Sequence, residues 1–229
     1  MNIAVILAAG KSERLNEITV PKQLYLINKV PLFLYSVLTF NELPEIDEIY
    51  LVTNDESLPA IEKYLKQSKI NKVKGIIIGG VTRQESVYLA IKHLQGHAKN
   101  DDIILIHDAA RPLIEKDTIL ANIEGVKKFE AATTAIKVHD TVFNTSNGHV
   151  DHIVDRSLLY QAQTPQSFKY RLIKKAHEMA IINSVYANDN STLAIQLGYD
   201  IHLINGTTTN FKVTTFEDVK LLEMIILKK

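Results

Sequence analysis

The sequence predicts an α/β fold: a doubly wound, mostly parallel sheet with helices on both faces and a protruding β-hairpin arm. Two observations support this prediction. Short apolar runs alternate strictly with helical patterns from residue 3 to residue 138, which is typical of chains built from βαβ units. The alternation breaks at residues 139–156, where an Asn-Gly pair between two alternating runs predicts a hairpin.

Each predicted element follows from its residue pattern. The strands are continuous apolar runs, as expected for parallel strands buried on both faces. They lie at residues 3–7, 49–52, 76–78, 103–106, 131–138 and 201–204. The helices combine apolar residues at helical spacing with start signals, and they lie at residues 31–40, 57–66, 118–128 and 170–181, after Gly80 and from Thr215 onward. We expect one domain over residues 1–229, with 139–156 as its arm.

The composition is that of a folded globular protein with no bias toward charged partners. Of 229 residues, 46% are apolar and 23% are charged, and 26 basic side chains balance 26 acidic ones. This balance argues against a general attraction to nucleic acid. The sequence contains no cysteine, which excludes disulfides, thiolate nucleophiles and cysteine-based metal sites. The first apolar run is too short for a signal or membrane segment, so we expect a cytoplasmic protein without membrane contact.

The stretch ILAAGKSERLNEITVPKQ, residues 6–23, has the features of a phosphate-binding turn after the first strand. Small residues let the backbone approach a ligand and offer N–H groups to phosphate oxygens. Arg14 adds a planar guanidinium and Lys22 a point charge, which together suit a polyphosphate. An ordinary βα loop with two solvated basic side chains is the alternative interpretation. The sequence lacks both GxxxxGK[ST] and a GxGxxG after a strand, which argues against a Walker-type NTPase and a dinucleotide-dependent oxidoreductase.

A second strand end reads GGVTRQESV, residues 79–87. Its two glycines permit a close approach, so that backbone groups and Ser86 can read the edge of a base. The same segment has a structural interpretation, in which Thr82 caps the next helix and Glu85 completes a capping box.

A third strand end reads HDAARP, residues 107–112. A carboxylate at the carboxyl end of a strand is well placed to hold Mg²⁺, with triphosphate oxygens completing the coordination shell. In the alternative interpretation Asp108 caps the next turn and Arg111 forms a surface ion pair. Ligands of parallel sheets bind beyond the carboxyl ends of the strands, so we expect the three segments to form one site.

Six motifs, in order along the chain, resemble those of the 2-C-methyl-D-erythritol 4-phosphate cytidylyltransferase family. They are LAAGxxxRL with PKQ, GGxxRxxSV, HDAARP, the DT and DRS pair that flanks the hairpin, QTPQxF and NxKxT. The resemblance extends from residue 3 to the last helix. It implies a Rossmann-like nucleotidyltransferase fold, CTP as donor, a polyol phosphate as acceptor and Mg²⁺ as cofactor.

The resemblance also implies roles for individual residues. The catalytic group would comprise Arg14, Lys22, Arg156 and Lys212. Nucleotide contacts would come from Leu7, Ala8, Ala9, Gly10, Gly79, Gly80, Arg83, Ser86 and Asp108. Acceptor contacts would come from Asp108, Arg111, Thr141, Arg156, Thr164 and Lys212, and Asp108 would hold the metal. Because a two-stranded ribbon is at best marginally stable alone, we expect the arm at 139–156 to dock on a second subunit in a homodimer.

Two other functions compete with this interpretation. The ribitol 5-phosphate cytidylyltransferases share the first loop, PKQ and QTPQSF, but more often carry HDSVRP, so Ala109 and Ala110 favour the methylerythritol branch. Asn188 to Asn190 stand where a TDD or TDE run is common in that branch, and Ser12 stands where many members have glycine. A non-catalytic nucleotide-sensing module on the same fold is the alternative from another class. A degraded site would mark such a module, whereas every charged candidate is present here.

Overall fold

The computed structural model describes residues 1–10 and 20–228. The strands are β1 (Asn2–Leu7), β2 (Leu26–Ile27), β3 (Val30–Pro31), β4 (Glu48–Thr53), β5 (Val73–Ile78), β6 (Ile103–Asp108), β7 (Ala131–Lys137), β8 (Val142–Ser146), β9 (His149–Val154), β10 (Tyr160–Lys169) and β11 (His202–Asn205). The helices are α1 (Leu32–Glu42), α2 (Leu58–Gln67), α3 (Arg83–His93), α4 (Lys116–Phe129), α5 (Tyr170–Ile182), α6 (Asn190–Gln196) and α7 (Phe216–Leu227). No helix among these is long and apolar enough to cross a membrane.

The main sheet has seven strands in the order β11-β7-β10-β6-β1-β4-β5. All its pairs are parallel except those of β10, which runs antiparallel between β6 and β7. The predicted, mostly parallel sheet is therefore confirmed, although β10 is absent from the predicted strands. Its sequence is polar and contains Pro165, which cannot donate to a ladder. The structure accommodates this proline where the pairing of β10 with β7 shifts register, between Ala162 and Gln166.

Both faces of the sheet are covered, as a doubly wound fold requires. Successive side chains of a strand point to opposite faces. Ala4 and Ile6 of β1 accordingly pack in one cluster with residues of α1 and α4, while Ile3 and Val5 pack in another with residues of α3 and α5. All four side chains are fully buried. Burial of each isoleucine stabilises the fold by about 1.5–3 kcal/mol, which explains why β1 lies inside the sheet.

The ends of two helices follow the signals in the sequence. Thr215 caps α7, and its side chain forms a reciprocal capping box with Asp218, which confirms the predicted start of this helix. Helix α6 is absent from the predicted elements because its start lies in a polar run that resembles a loop. Asp189 in that run is its N-cap, and its carboxylate accepts hydrogen bonds from the N–H groups of Ser191 and Thr192.

The predicted hairpin is present as the antiparallel pair of β8 and β9. Asn147 and Gly148 join the strands with φ angles of 49° and 81°, the left-handed conformation that a tight hairpin turn needs at both positions. The hairpin exposes Phe143, Val150 and Ile153, whose side chains are 52%, 56% and 67% exposed. Apolar side chains this exposed leave the hairpin without a core of its own.

A buried polar cluster joins α4 to the two strands beneath it. Asn122 is fully buried, and its amide donates to the carbonyl of Thr118 and to the hydroxyl of Thr134 at 2.9 and 2.8 Å. Ser167 donates to the Asn122 side-chain oxygen at 3.0 Å, and Thr134 donates to the carbonyl of Pro165 at 2.8 Å. Every member has a partner, so the cluster fixes α4 against β7 and β10.

Replacing Asn122 with alanine tests this cluster. The change leaves the buried Ser167 hydroxyl without its acceptor, so we expect Asn122→Ala to lower the free energy of unfolding in urea by about 2–3 kcal/mol. Glu124→Ala is the matched control on the same helix. Glu124 forms an exposed ion pair with Lys127, and its loss should cost no more than about 0.5 kcal/mol. Equal losses in the two variants would contradict the assigned role.

Candidate active site

A cavity of about 990 Å³ opens beyond the carboxyl ends of β1, β4, β5 and β6. This is where ligands bind in open parallel sheets. The predicted site residues that line it are Leu7, Ala8, Ala9, Gly10, Lys22, Gly80, Arg83, Ser86, Asp108 and Lys212. The fold therefore brings the first, second and third predicted strand ends together with the NxKxT motif. Arg14 lies outside the described residues.

The first turn holds its shape through contacts with the neighbouring strand end. The N–H of Ala8 donates to the carbonyl of Val52 at 2.7 Å, so this group is not available to a phosphate. The side-chain amide of Asn54 donates to the carbonyl of Ala9 at 3.3 Å. Gly10 has no atom within 4 Å of the position that a Cβ would occupy, among the residues described.

The second strand end is folded tightly against α3. Thr82 caps α3 by accepting a hydrogen bond from the N–H of Glu85 at 3.1 Å, and the Glu85 carboxylate accepts one from the N–H of Val81 at 2.8 Å. The predicted cap is thus present, with the return bond one residue earlier than in a standard capping box. Ser86 accepts from the N–H of Gly80 at 3.1 Å, which commits its hydroxyl to the shape of the turn.

Gly79 is needed for this tight packing. A Cβ at position 79 would lie 2.7 Å from the Ser86 hydroxyl and 2.9 Å from the Cβ of Ala9. Both distances are shorter than van der Waals contact allows. The glycine therefore lets the second turn pack against the first, although Gly79 itself is not in the cavity wall.

Asp108 lies at the centre of the charges of the site. Its side chain is buried, and one carboxylate oxygen accepts from Nε and Nη2 of Arg83, each at 3.2 Å. The other oxygen accepts from Nζ of Lys212 at 2.7 Å. Burial by itself raises the pKa of Asp108, but the charges of Arg83 and Lys212 outweigh burial and hold this pKa well below its usual range. The carboxylate is consequently ionised near pH 7.

Two other cations are held by backbone carbonyl groups. Arg111 donates through Nη1 to the carbonyl of Asn210 at 2.8 Å and through Nη2 to that of Ala162 at 3.2 Å. These bonds replace the surface ion pair considered from the sequence. Lys22 donates to the carbonyl of Val213 at 2.8 Å, which holds its amino group at the cavity wall.

Four predicted acceptor contacts do not line the cavity of the same chain: Arg111, Thr141, Arg156 and Thr164. Thr164 lies behind Asp108, and its hydroxyl accepts a hydrogen bond from the Asp108 N–H at 3.1 Å. Thr141 and Arg156 are exposed on the hairpin and its base. The described part of one chain thus assembles the nucleotide side of the predicted site but not the complete acceptor side.

Among the lining residues that were not predicted are the three polar ones that follow β4, Asn54, Asp55 and Glu56. They follow β4, whose carboxyl end lies beside that of β1. Ligands of parallel sheets bind beyond the carboxyl ends of the strands. The same rule, applied to β4, could have identified these residues from the sequence. Two other unpredicted residues, His107 and Asn210, connect the site segments from behind the cavity wall.

The surroundings of two buried histidines shift their pKa values. Burial lowers the pKa of His107 to about 4, and burial likewise lowers the pKa of His177 to about 4. A hydrogen bond of 3.3 Å joins Nε2 of His177 to the side-chain oxygen of Asn190. Both rings are therefore neutral near pH 7.

The lowered pKa values of these two histidines predict that the protein becomes less stable in acid. An unfolded histidine titrates near pH 6.5, so between about pH 6.5 and pH 4 the unfolded state binds more protons. The free energy of unfolding should accordingly fall as the pH falls through this window, by on the order of 3 kcal/mol per histidine. Urea unfolding at a series of pH values measures the slope. In His177→Gln the dependence of the unfolding free energy on pH should be about half as steep. A wild-type unfolding free energy that does not change between pH 6.5 and pH 4 would contradict the lowered pKa values.

The fold and the site together define a class of protein. A cavity beyond the strand ends of a doubly wound sheet, lined by Lys22, Arg83 and Lys212 and by small residues in its first turn, fits a nucleotidyltransferase. The family model described as "IspD: 2-C-methyl-D-erythritol 4-phosphate cytidylyltransferase" matches residues 2–228, and the chain belongs to this family.

Individual relatives agree with this placement over the full chain. A protein of Thermosipho melanesiensis named 2-C-methyl-D-erythritol 4-phosphate cytidylyltransferase is 38% identical, over 97% of this chain and 96% of its own. A protein of Clostridium tetani with the same name is 35% identical, over 99% of this chain and 91% of its own. The crystal structure of 4-diphosphocytidyl-2C-methyl-D-erythritol synthase from Anaerococcus prevotii superposes with a TM-score of 0.84 at 26% identity, over 98% of this chain and 97% of the other.

Proposed function

We propose that the protein transfers the cytidylyl group of CTP to 2-C-methyl-D-erythritol 4-phosphate in isoprenoid synthesis. One observation carries this proposal: the buried carboxylate of Asp108 lies between Arg83 and Lys212 on the wall of a cavity in a chain of this family. The products would be 4-diphosphocytidyl-2-C-methyl-D-erythritol and pyrophosphate. We place the reaction in the cytoplasm because both substrates are phosphorylated, water-soluble metabolites.

The proposed reaction is a displacement at phosphorus. An oxygen of the acceptor's phosphate forms a bond to the α-phosphorus of CTP, and the bond from that phosphorus to the bridging oxygen breaks. The electron pair leaves with pyrophosphate, so no covalent intermediate with the protein is needed. The protein contributes positioning and stabilisation of negative charge.

The basic residues of the site would have separate roles in stabilising the leaving group and in binding the acceptor. Lys22 lines the cavity with its amino group held in place, and we assign it to the charge that develops on the leaving pyrophosphate. Arg14 is proposed for the same role on the evidence of its motif alone. Lys212 would hold the acceptor's phosphate, which otherwise repels the triphosphate. Arg83 and Ser86 lie on the side of the cavity that we assign to the nucleotide.

The residues present are suited to a divalent cation that arrives with CTP. Mg²⁺ usually takes one or two carboxylates and completes its shell with phosphate oxygens and water. Asp108 offers an ionised carboxylate on the cavity wall, while no cluster of three or more acidic or histidine ligands exists among the described residues. We propose that Asp108 holds Mg²⁺, which would neutralise charge on the phosphates. Its bonds to Lys212 and Arg83 must then rearrange.

The hairpin at 139–156 is proposed as a dimerisation arm of a single-domain chain. Its exposed apolar side chains need a partner surface, and Thr141 and Arg156 lie outside the cavity of their own chain. In a two-fold dimer the arm of one subunit can deliver both residues to the cavity of the other. This arrangement would supply the part of the acceptor side that one chain lacks.

A substrate panel tests the proposed reaction. With CTP and Mg²⁺, 2-C-methyl-D-erythritol 4-phosphate should exceed D-ribitol 5-phosphate by about a hundredfold or more in kcat/KM, because hydroxyl groups that a site reads discriminate strongly. Pyrophosphate release should be slow with ATP or GTP and should stop in a chelator. A preference for D-ribitol 5-phosphate would move the protein to the sister branch. Activity with neither acceptor would reject the proposed transfer.

Complementation between two inactive variants tests the arm. Arg156→Ala and Lys212→Ala should each be inactive as homodimers. If Arg156 acts in the other subunit's cavity, a mixed dimer contains one intact site, and an equimolar mixture refolded together should recover about one quarter of the wild-type activity. Mixing Lys212→Ala with an Asp108→Ala variant is the control, because both changes fall in the body of the subunit and restore nothing. No recovery in the first mixture would show that Arg156 does not act across the dimer.

A further inference from the structure

A closed ring of hydrogen bonds lies behind the cavity wall. The Thr164 hydroxyl lies 3.0 Å from Nδ1 of His107, and Nε2 of His107 lies 3.0 Å from the carbonyl oxygen of Arg111. The Arg111 guanidinium donates to the carbonyl of Asn210 at 2.8 Å, and the Asn210 amide returns to the carbonyl of Thr164 at 2.9 Å. The ring thereby connects the HDAARP, QTPQxF and NxKxT motifs.

The direction of each bond in the ring is determined by its donors and acceptors. A carbonyl oxygen only accepts, so Nε2 of His107 must carry the ring proton toward Arg111. In the neutral ring Nδ1 is then the acceptor, so the Thr164 hydroxyl donates to it while its oxygen accepts the Asp108 N–H at 3.1 Å. This pattern corresponds to the neutral Nε2–H tautomer of His107. A proton on Nδ1 would reverse the bond with the Thr164 hydroxyl.

The ring connects the two backbone segments that carry two charged groups of the site. Asp108 follows His107 directly, and Lys212 lies two residues beyond Asn210. Nζ of Lys212 lies 2.7 Å from a carboxylate oxygen of Asp108. The backbone N–H of Val213 also donates to the carbonyl of Ala110 at 2.8 Å. His107 itself is fully buried and does not line the cavity, so any effect it has on substrate must pass through these neighbours.

We propose that His107, in its neutral Nε2–H form, is a positioning residue that sets Asp108 and Lys212 in place through Thr164 and Arg111. The inference rests on the proposed cytidylyl transfer, which depends on those two charges. It assigns the Thr164 hydroxyl to the protein scaffold rather than to the acceptor. Geometric displacement of about 1 Å at a reacting group lowers rates by up to about a hundredfold, so loss of the ring should be measurable in turnover.

Two pairs of variants separate positioning from simple folding. His107→Phe keeps a ring of similar volume and removes both bonds, and Thr164→Val removes the hydroxyl at constant shape. Each should lower kcat/KM for the acceptor by about 10- to 100-fold in the folded fraction. Thr164→Ser restores the hydroxyl and should stay within about threefold of wild type. Thr134→Val, which removes another buried hydroxyl bonded to the same turn, should lose stability but keep its turnover per folded molecule.

The tautomer provides a readout that does not depend on activity. Long-range ¹H–¹⁵N correlation spectra of the wild-type protein should show His107 with its proton on Nε2 near pH 7, and in Thr164→Val the Nδ1 resonance should shift because that nitrogen loses its hydrogen-bond donor. A proton on Nδ1 in the wild type would overturn the inference, and so would wild-type kcat/KM in both His107→Phe and Thr164→Val. If the wild-type protein is inactive with both acceptors, the proposed function fails, while the spectra still test the ring.

Discussion

The burial of one carboxylate constrains the whole site. Removing an ionised side chain from water costs several kcal/mol unless other charges compensate, and breaking a buried pair costs about 3–5 kcal/mol. Asp108 ends β6, whereas Arg83 begins α3 and Lys212 follows β11. These segments are far apart in the sequence, so the sheet order and the helix positions must bring them together to stabilise the charge. The charged residues of the proposed site therefore also stabilise the fold.

The sequence predicts those parts of the fold that depend on local patterns. Continuous apolar runs identify β1 and β6, and an Asn-Gly pair identifies the hairpin, because burial and turn geometry act over a few residues. Strand β10 has no such local pattern. Its polar side chains are satisfied by distant partners such as Asn122, and Pro165 lies at a register shift that only the assembled sheet defines. Helix α6 is missed for a related reason. An N-cap residue such as Asp189 is equally typical of a loop, so the residue type alone does not indicate a helix.

The motifs indicate which residues assemble around the site but not which way each side chain points. Lys22, Arg83, Asp108 and Lys212 line the cavity as the motifs imply, whereas Thr164 lies behind it. A short polar side chain in a motif can contact a ligand or satisfy a buried backbone group, and the sequence is the same in both cases. The roles of His107 and Asn210 depend on contacts 46 to 57 residues apart, which no local spacing reveals.

The two halves of the proposed site differ in how they are held. The nucleotide half stands on the sheet and on the hydrogen-bond ring, so the backbone that carries its side chains is in place before substrate arrives. Thr141 and Arg156 flank a two-stranded ribbon with exposed apolar side chains, and such a ribbon is at best marginally stable alone. Under the proposed dimer, capture of the acceptor is consequently linked to subunit association, and the free energy of that association depends on protein concentration. Preorganisation of the nucleotide side would then persist in a separated subunit, while the acceptor side would be lost.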